Sequence, residues 1–311
     1  MKILITGGLG FIGSNLAEAC VRLGHEVIVI SKSDKKADNI RDIKDKVKLI
    51  LKDVKDIKDE VKGVDRIFHF AGTTDNYWIL EDPYKDIEAN CVATIALLEA
   101  CKKYNPSARI IFGSTFFVNG NPEKMPVNAE TPCKPLGLYG ATRLAGEHFC
   151  HIYNRVFDMN IAIIRFTNVF GIKEQAHNKK KAGFNYLINL ALEGKEIPLY
   201  NDGNFVRDFI YVEDAVNGCL AVAEKGEQDK VYYIGRGERI KFKDMIDMVI
   251  EEAKGGKIKA IEPPEFHKKI GINDFVCDNS PLKKLGWKPK VSIQEGIRRT
   301  IEFYRDGGNG V

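Results

Sequence analysis

The segment 138–149, LYGATRLAGEHF, places Tyr139 four residues before Arg143. On a helix, side chains at this spacing lie on one face, one turn apart. A cation held near a phenol favours the phenolate, so the pair has the chemistry of a general base. The same spacing also occurs at the edges of ordinary amphipathic helices, and the pair by itself leaves both interpretations open.

A glycine-rich motif, ITGGLGFIG, follows the first apolar run of the chain. Its glycines Gly7, Gly10 and Gly13 have the spacing GxxGxxG. Gly7 permits a tight turn, Gly10 lets the backbone approach a pyrophosphate, and Gly13 lets the next helix pack close to the sheet. Between a strand and a helix N-terminus, this pattern predicts a dinucleotide-binding loop that includes Phe11 and Ile12 at the helix start.

The end of the second predicted strand bears on the choice between NAD and NADP. An acidic residue at this place would bind the free 2′-hydroxyl of the adenosine ribose. The chain has Ser31 and Lys32 there, with Lys35 and Lys36 close behind. A hydroxyl and nearby cations suit a 2′-phosphate and favour NADP, and the alternative is that Lys32 and Lys35 are exposed loop charges. Asp53, in LKDVKD, is a candidate contact for the adenine amine.

A regular alternation of elements positions these motifs. Apolar runs predict strands at 2–6, 26–30, 66–70, 109–112 and 161–166, and the alternation of Val47, Leu49 and Leu51 predicts a strand at 47–51. Helical periodicity predicts helices at 14–23, 86–104 and 139–157. This alternation implies a parallel sheet with helices on both faces, a Rossmann-type doubly wound α/β fold.

The rest of the chain is less regular and predicts a smaller α/β C-terminal substrate-binding domain. It contains predicted helices near 184–193, 242–253 and 293–304, and predicted strands at 209–212 and 231–235. Ser292 and Glu295 form a candidate capping box for the last helix. We expect residues 1–171 and about 205–235 to form the dinucleotide-binding domain, and about 172–204 and 236–311 the substrate-binding domain.

Charge and composition argue against several classes of partner. The 311 residues include 47 Lys and Arg against 43 Asp and Glu, a formal net charge of +4. This balance argues against a dedicated nucleic-acid binder. The one dense basic run, Lys179-Lys180-Lys181, is interpreted either as a solvated loop or as a loop near an anionic substrate.

The cysteines and the apolar runs indicate a soluble cytoplasmic protein that does not associate with membranes. The seven cysteines are widely spaced and include no CxxC pair, which favours reduced thiols over disulfides or a metal site. No apolar run approaches membrane-spanning length, and no signal-peptide pattern is present.

The motifs together resemble the extended short-chain dehydrogenase/reductase superfamily, in its NAD-dependent epimerase/dehydratase branch. The resemblance covers nearly the whole chain and has eight parts in the family's order. They are TGGLGFIG, HFAG (69–72), Asn90, STFFVNG (114–120), YGATR (139–143), RFTNVFG (165–171), DGNFVRDFIYVEDA (202–215) and LGWKPKVSIQEGIRRTIEFY (285–304).

The resemblance implies a role for each matched position. Thr115 would hydrogen-bond the sugar oxygen that is oxidised, and Tyr139 would take its proton while hydride passes to the nicotinamide. Arg143 would hold the nicotinamide ribose and favour the phenolate. Asn168 and Arg207 would contact the diphosphate or nucleotide of a nucleotide-sugar substrate, since guanidinium pairs with phosphate in a fork. The other implied contacts are Thr74 to the substrate and Val54, Phe70, Ala71, Gly72 and Asn90 to the cofactor.

The chain departs from the family's pattern at several positions. Asn119 replaces the usual Tyr of a VYG motif, and Arg143 replaces the usual Lys. The segment 263–274, PPEFHKKIGIND, stands where an RPGD-like segment is usual. Its candidates for a phosphate contact are His267, Lys268 and Lys269. For Arg207, a loop ion pair with Asp208 is the alternative to a phosphate contact.

The residues after Thr115 narrow the reaction. Sugar 4,6-dehydratases of this family have Asp-Glu directly after the catalytic Thr, and related decarboxylases usually keep the Glu. Phe116 and Phe117 stand here and cannot transfer protons. The remaining reactions are nucleotide-sugar epimerisation, with C4 favoured, and NADPH-dependent reduction of a nucleotide-linked ketosugar. Cys133 is interpreted either as a second acid/base or as a small loop residue.

Arg143 favours epimerisation over reduction. Guanidinium is effectively never deprotonated, so it does not relay a proton through its own deprotonation. A reductase draws a net proton from solvent in each turnover, whereas a 4-epimerase returns the proton to the oxygen it came from. Another alternative is a sensor or structural subunit with impaired chemistry. The resemblance also implies a homodimer through helices 86–104 and 139–157.

Overall fold

Seven parallel strands form the centre of the structure, a computed structural model that describes residues 1–74, 76–177 and 183–308. The strands are β1 (Lys2–Thr6), β2 (Glu26–Ser31), β3 (Val47–Leu51), β4 (Arg66–His69), β5 (Arg109–Thr115), β6 (Ile161–Phe166) and β11 (Val231–Ile234). Their order across the sheet is β11-β6-β5-β4-β1-β2-β3, and every neighbouring pair is parallel. The Rossmann-type doubly wound sheet predicted from the sequence is thereby confirmed.

Eleven helices are assigned in the described residues. They are α1 (Phe11–Arg22), α2 (Trp78–Glu81), α3 (Tyr84–Asp86), α4 (Ala93–Tyr104), α5 (Leu138–Phe157), α6 (Gly183–Leu192), α7 (Val212–Lys225), α8 (Phe242–Ala253), α9 (Glu265–Ile270), α10 (Ser280–Lys284) and α11 (Ile293–Arg305). No helix in this part of the chain is long and apolar enough to cross a membrane.

Three two-stranded ladders lie beside the main sheet. The strands are β7 (Asn168–Phe170), β8 (Glu196–Tyr200), β9 (Val206–Arg207), β10 (Phe209–Tyr211), β12 (Ile240–Lys241) and β13 (Lys257–Ile261). β7 pairs with β10 and β8 with β13 in parallel, while β9 pairs with β12 antiparallel. Two of the ladders contain candidate substrate contacts, since Asn168 begins β7 and Arg207 ends β9.

The core has one apolar cluster on each face of the main sheet. Ile3 and Ile5 of β1 belong to one cluster, and Leu4 between them belongs to the other. Alternate side chains of a strand point to opposite faces, and helices cover both faces here. This explains why the strands appear in the sequence as continuous apolar runs.

Several predicted boundaries need correction. The helix predicted at 86–104 is present and begins two residues earlier, at Tyr84, and it contains a π-helical turn at Ile87–Val92 between α3 and α4. The helix predicted at 14–23 begins earlier, at Phe11. The strand predicted at 209–212 ends at Tyr211, because Val212 begins α7. Ser292 caps α11 by accepting from the Glu295 amide at 3.1 Å, which is one half of the predicted capping box, while the Glu295 carboxylate accepts from Arg298 and Arg299. The lysine run 179–181 lies outside the described residues.

Candidate active site

The glycine motif forms a tight turn between β1 and α1. Gly7 has φ +69°, and its amide donates to the Ile30 carbonyl at 2.9 Å. A side chain at Gly7 would meet the backbone of Ala71 at 2.8 Å, and one at Gly10 would meet the Gly7 carbonyl at 3.0 Å. The first amides of a helix have no intrahelical partner. Helix α1 begins at Phe11 without a side-chain cap, so no capping side chain occupies these amides either. Such an end is suited to an anion.

At the end of β2, the residues expected to meet the adenosine ribose form a surface cluster. The Ser31 hydroxyl donates to the Ser33 carbonyl at 2.8 Å. The Lys32 ammonium lies 3.0 Å from a carboxylate oxygen of Asp53, and its side chain is 78% exposed. Burial raises the pKa of Asp53, but hydrogen bonds from Lys32 and the Lys55 amide outweigh it and lower the pKa overall.

Beside this cluster, Val54 is buried and follows Asp53 directly. An exposed ion pair such as Lys32–Asp53 contributes little to stability. The lysine is therefore available to other anions at small cost, which keeps both roles considered for it open.

The loop after β4 passes close to the glycine turn. The Ala71 amide donates to the Thr6 hydroxyl at 3.2 Å, and Phe70 packs edge-on against Phe166. His69 is buried between the hydroxyls of Thr6 and Thr94, at 2.7 and 3.1 Å. Burial, together with a smaller effect of the Arg143 charge, lowers the pKa of His69 to about 3. His69 is therefore neutral and fixes the loop.

Asn90 fixes the next part of the same loop. Its amide group accepts from the Thr73 amide at 3.0 Å, and donates to the hydroxyls of Thr73 and Thr142 at 3.1 and 3.0 Å. Asn90 is fully buried, in the π-helical turn. Asn90 therefore holds the loop in place at residues 72–73. Thr74, the next residue, is exposed.

Tyr139 and Arg143 lie on one face of α5, as their spacing predicts. The guanidinium carbon of Arg143 lies 5.8 Å from the centroid of the Tyr139 ring. Arg143 donates from Nη1 to the Gly113 carbonyl at 3.1 Å and from Nη2 to the Thr73 carbonyl at 3.4 Å. Its buried Nε has no partner among the described protein atoms. The cation is thus fixed beside the phenol with one donor still available.

Thr115 is the last residue of β5 and lies at the start of a turn that packs on α5. It caps the short 3₁₀ turn Phe116–Asn119, and its hydroxyl accepts from the Phe117 amide at 3.4 Å. That turn packs on the first turn of α5, because a side chain at Gly140 would lie 2.7 Å from the Phe117 carbonyl. The ring of Phe117 is edge-on to Tyr139, with centroids 5.8 Å apart.

Phe116 is buried in a small apolar cluster. Its ring packs on Phe117 and on Phe275, with centroids 4.6 and 4.7 Å apart. Val127 and Tyr233 belong to the same cluster. Phe116 and Phe117 therefore place apolar rings directly after Thr115, and neither side chain can transfer a proton.

A buried ion pair supports the site from behind, and sequence reasoning missed it. Glu147 of α5 and Arg165 of β6 form a 2.6 Å ion pair, with both side chains at most 4% exposed. Glu147 also accepts from the Ser114 hydroxyl, next to Thr115. Since Glu147 lies four residues beyond Arg143, the helical face of Tyr139 could have signalled it.

The ion pair extends to Asn119, the residue that replaces the usual Tyr. Arg165 donates to the Tyr233 hydroxyl at 2.8 Å, which in turn donates to the Asn119 side chain at 2.7 Å. Arg165 also lies 3.2 Å from the Cys133 sulfur. Burial raises the pKa of Cys133, although the Arg165 charge opposes it. Cys133 is therefore a protonated thiol within this network.

Arg207 is held by backbone carbonyls. Its guanidinium donates to the carbonyls of Ile272 and Asn273 and lies 4.5 Å from the centroid of the Phe205 ring. Burial lowers its pKa to about 10, so it remains a cation at neutral pH. The loop ion pair considered for Arg207 and Asp208 is not formed.

Asp208 has other partners. It accepts from the amides of Arg236, Gly237 and Cys277 at 2.8 to 3.1 Å. Its backbone carbonyl accepts from the Asn168 side chain at 3.2 Å, so Asn168 and Arg207 flank one buried acid. Asp208 is thus a structural anchor between two candidate substrate contacts.

The segment 263–274 forms α9 and approaches the loop after β4. His267 hydrogen-bonds the Tyr77 hydroxyl, and the two rings pack edge-on with centroids 5.5 Å apart. Lys268 pairs with Glu265 at 2.8 Å. Lys269 forms no ion pair with the described residues, so the choice of a phosphate contact among the three stays open.

The residues present fit a nicotinamide dinucleotide. The glycine turn provides backbone space next to a helix N-terminus after β1, and Arg143, with its unpaired Nε, lies beside Tyr139 at β5, two strands away in the sheet. Residues Gly72 and Asn90 lie between them. In the described ranges, no group of three or more His, Cys, Asp or Glu side chains is arranged to hold a metal.

Fold and site together define a Rossmann-type dinucleotide-binding enzyme of the extended short-chain dehydrogenase/reductase superfamily. Residues 3–235 match the NAD dependent epimerase/dehydratase family, and the chain belongs to that family. The resemblance read from the motifs is thus confirmed.

Proteins that act on UDP-sugars are similar to this chain along its whole length. A UDP-glucose 4-epimerase of Mycolicibacterium smegmatis is 28% identical, over 98% of this chain and 99% of its own. The structure of UDP-glucose 4-epimerase with UDP-glucose from Thermotoga maritima superposes with TM-score 0.90, at 25% identity over 99% of both chains.

A second solved structure shares the fold at higher identity. It is UDP-glucuronic acid 4-epimerase from Bacillus cereus in complex with UDP-glucuronic acid and NAD. Its TM-score is 0.87, at 28% identity over 98% of this chain and 99% of that one. The similarity therefore includes the carboxyl edge of the sheet, where the candidate site lies.

Proposed function

We propose that this protein is a nucleotide-sugar epimerase that acts at C4 through transient oxidation with a bound nicotinamide cofactor. The observation that carries the proposal is the placement of Tyr139 beside Arg143 and against the ring of Phe117, with Thr115 at the start of the turn that carries Phe117. The site has one candidate base and lacks the acid pair that elimination of water needs. The related epimerases of UDP-glucose and UDP-glucuronic acid support the same reaction class.

The side chains divide the chemistry as follows. Thr115 and Tyr139 bind the sugar hydroxyl that is oxidised, and Tyr139 holds its proton until reduction returns it. Bound nicotinamide supplies the hydride acceptor and donor. Arg143 keeps a positive charge next to the phenol throughout, because guanidinium does not deprotonate. Phe117 excludes water from the Tyr139 ring and so protects the keto form of the sugar.

For the cofactor, we propose NAD(P) bound along Gly7–Gly13, Val54, Phe70–Gly72 and Arg143, with NADP favoured. Ser31 ends β2 without a carboxylate, and its neighbour Lys32 is exposed and loosely paired. A 2′-phosphate would satisfy both groups. The relative from Bacillus cereus was solved with NAD, so the proposed preference for NADP rests on Ser31 and Lys32 of this chain alone.

For the substrate, we propose that Asn168 and Arg207 contact the diphosphate of the nucleotide sugar. Arg207 is a cation whose plane is fixed by two carbonyls and an aromatic ring. A fixed guanidinium suits phosphate because its donors are preorganised. We also propose the two-domain division at residues 1–171 with about 205–235, because the main sheet lies in those ranges.

For assembly, we propose a homodimer through the segment 87–104 and α5. These elements carry many of the exposed large apolar side chains, namely Ile87, Val92, Ile95, Ile152, Val156 and Phe157. Contiguous apolar patches on a protein surface mark interaction sites. A second copy that packs the same two helices would cover this patch with a symmetric interface. We further propose a cytoplasmic location, from the cysteine pattern.

The decisive experiment identifies the resident nucleotide and then the reaction. Protein purified without added cofactor is denatured, and released nucleotides are identified by mass spectrometry. Stoichiometric NAD or NADP, followed by interconversion of UDP-glucose and UDP-galactose by NMR, would support the epimerase. A protein that is empty, binds NADPH reversibly and consumes it with a nucleotide-linked ketosugar would instead be a reductase, the second candidate that Ser31 and Lys32 favour.

A further inference from the structure

Asp86 is a buried carboxylate that the proposed reaction does not use. It ends α3, one turn before Asn90, and its side chain is fully shielded from solvent. Burial of a carboxylate is costly unless hydrogen bonds and an opposite charge compensate it. The hydroxyl of Thr73 donates to Asp86, in the loop between β4 and α2.

Thr73 joins Asp86 to Arg143. While its hydroxyl donates to Asp86, its backbone carbonyl accepts from Nη2 of Arg143 at 3.4 Å. Asn90 holds the same residue from the other side, through the Thr73 amide at 3.0 Å and hydroxyl at 3.1 Å. A displacement of Thr73 therefore moves a hydrogen-bond acceptor of Arg143.

The two charges also act on a common neighbour, Cys91. Arg143 is 4% exposed, and the partners that its hydrogen bonds reach are the neutral carbonyls of Gly113 and Thr73. Cys91 lies near both charges. Its pKa is raised mainly by burial, while Arg143 lowers it and Asp86 raises it. One buried region thus contains a cation and an anion that act on the same thiol with opposite sign.

We propose that Asp86 is the positioning residue of Arg143 and acts through Thr73. Asp86 supplies the negative charge that lets a guanidinium be buried, and its bond to Thr73 fixes the carbonyl that orients Nη2. With Nη1 and Nη2 both held, the cation keeps its place beside Tyr139, from which it would contact the nicotinamide ribose. The proposal depends on the proposed function only for that contact.

The test measures dinucleotide affinity, which needs no sugar turnover. NAD⁺ and NADP⁺ are titrated calorimetrically into the full chain stripped of nucleotide. Thr73→Val removes the hydroxyl at constant shape, and Asp86→Asn keeps an acceptor but removes the charge. Each is expected to weaken binding about fivefold. Thr73→Ser, which keeps the hydroxyl, is expected to restore binding to within about twofold. Glu88→Gln removes an exposed charge from the same segment as a control.

Coupling to Arg143 separates positioning from simple loss of structure. In an Arg143→Met background, Asp86→Asn and Thr73→Val are expected to weaken binding by less than about twofold, because the group they position is gone. The proposal would be overturned if the losses of dinucleotide affinity from the two substitutions multiply in a double variant. It would also be overturned if Thr73→Val binds the dinucleotides as tightly as the parent does. If Asp86→Asn does not fold, the Thr73→Val and Thr73→Ser pair carries the same test.

The outcomes also distinguish this proposal from the proposed function. A parent protein that binds a dinucleotide and shows the coupling, but epimerises no nucleotide sugar, would remove the epimerase and leave Asp86 as the positioning residue. A parent that epimerises a nucleotide sugar, but in which Asp86 shows no coupling to Arg143, would support the epimerase and overturn the positioning role of Asp86. A parent that binds neither dinucleotide would overturn both.

Discussion

Gly72 and Arg143 fit together because residue 72 has no side chain. A β-carbon at position 72 would overlap the guanidinium of Arg143 and the side-chain oxygen of Asn90. Gly72 also has φ +151°, a backbone conformation that other residues rarely adopt. The loop after β4 and helix α5 therefore lie so close together that a methyl group at position 72 has no room.

Gly72→Ala is expected to reduce dinucleotide affinity by at least about tenfold, because the new methyl group displaces Arg143. Affinity is measured by calorimetry, and stability by thermal unfolding. Gly63→Ala is the matched control: Gly63 has φ +64°, but open space surrounds its would-be side chain. It should cost about 1 kcal/mol of stability and leave binding unchanged. Equal binding losses in both variants would contradict a local clash.

The pairing of Tyr139 with Arg143 was predictable because it is local. Both residues lie on one helix, and helical geometry fixes their relation from spacing alone. The same holds for the glycine turn, where a strand, a turn and a helix are consecutive. All seven strands of the main sheet were predictable, β3 from alternation and the others from apolar runs, because a parallel sheet covered on both faces leaves little room for polar residues.

The parts of the site that escaped prediction depend on long-range contacts. Glu147 meets Arg165 from a different element, and Asp86 meets Arg143 only through the loop at Thr73. The π-helical turn also escaped, because one extra residue per turn barely changes an apolar period. Strands β8 and β13 were missed because their ladder has two strands and β13 is largely exposed, with two lysines in five residues.

Tyr139→Phe is expected to lower kcat by about 10² to 10⁴, because it removes the group that accepts the sugar proton. Dinucleotide binding and thermal stability should stay close to those of the parent, since the ring and its contact with Phe117 remain. Tyr153→Phe, on the same helix, is the control and should retain activity. A protein whose partner binding survives Tyr139→Phe but which never turned over a sugar would instead be a sensor.

Ser31→Asp is expected to shift the preference from NADP toward NAD by about tenfold or more. A carboxylate at this position would bind the ribose 2′-hydroxyl and repel a 2′-phosphate. Affinities for both dinucleotides are measured on the same preparation. Ser33→Asp adds the same charge two residues away and should change the ratio less. An NAD preference in the parent, unchanged in Ser31→Asp, would contradict the role of Ser31.

Val156→Glu combined with Ile95→Glu is expected to convert a dimer to a monomer. Both side chains are exposed in the single chain, at 57% and 38%, so the substitutions leave the fold intact. Buried in a symmetric interface, each glutamate would lose its hydration, and the two copies would bring four like charges into one interface. Light scattering after size exclusion gives the mass. Leu23→Glu, at a 58% exposed site directly after α1, is the control and should stay dimeric.

Arg143→Lys tests why this chain has an arginine next to its base. Lysine keeps the charge, but its ammonium is compact and lacks the fork that reaches the carbonyls of both Gly113 and Thr73. Epimerisation should fall by about tenfold and persist, because the proton is still returned to the oxygen it left, whereas Arg143→Met should lose about 10² or more. UDP-sugar interconversion is followed by NMR, and NADPH consumption with a nucleotide-linked ketosugar is measured in parallel. If lysine instead raises NADPH consumption while neither form epimerises any sugar, arginine is not an adaptation to internal proton recycling, and the protein is a reductase.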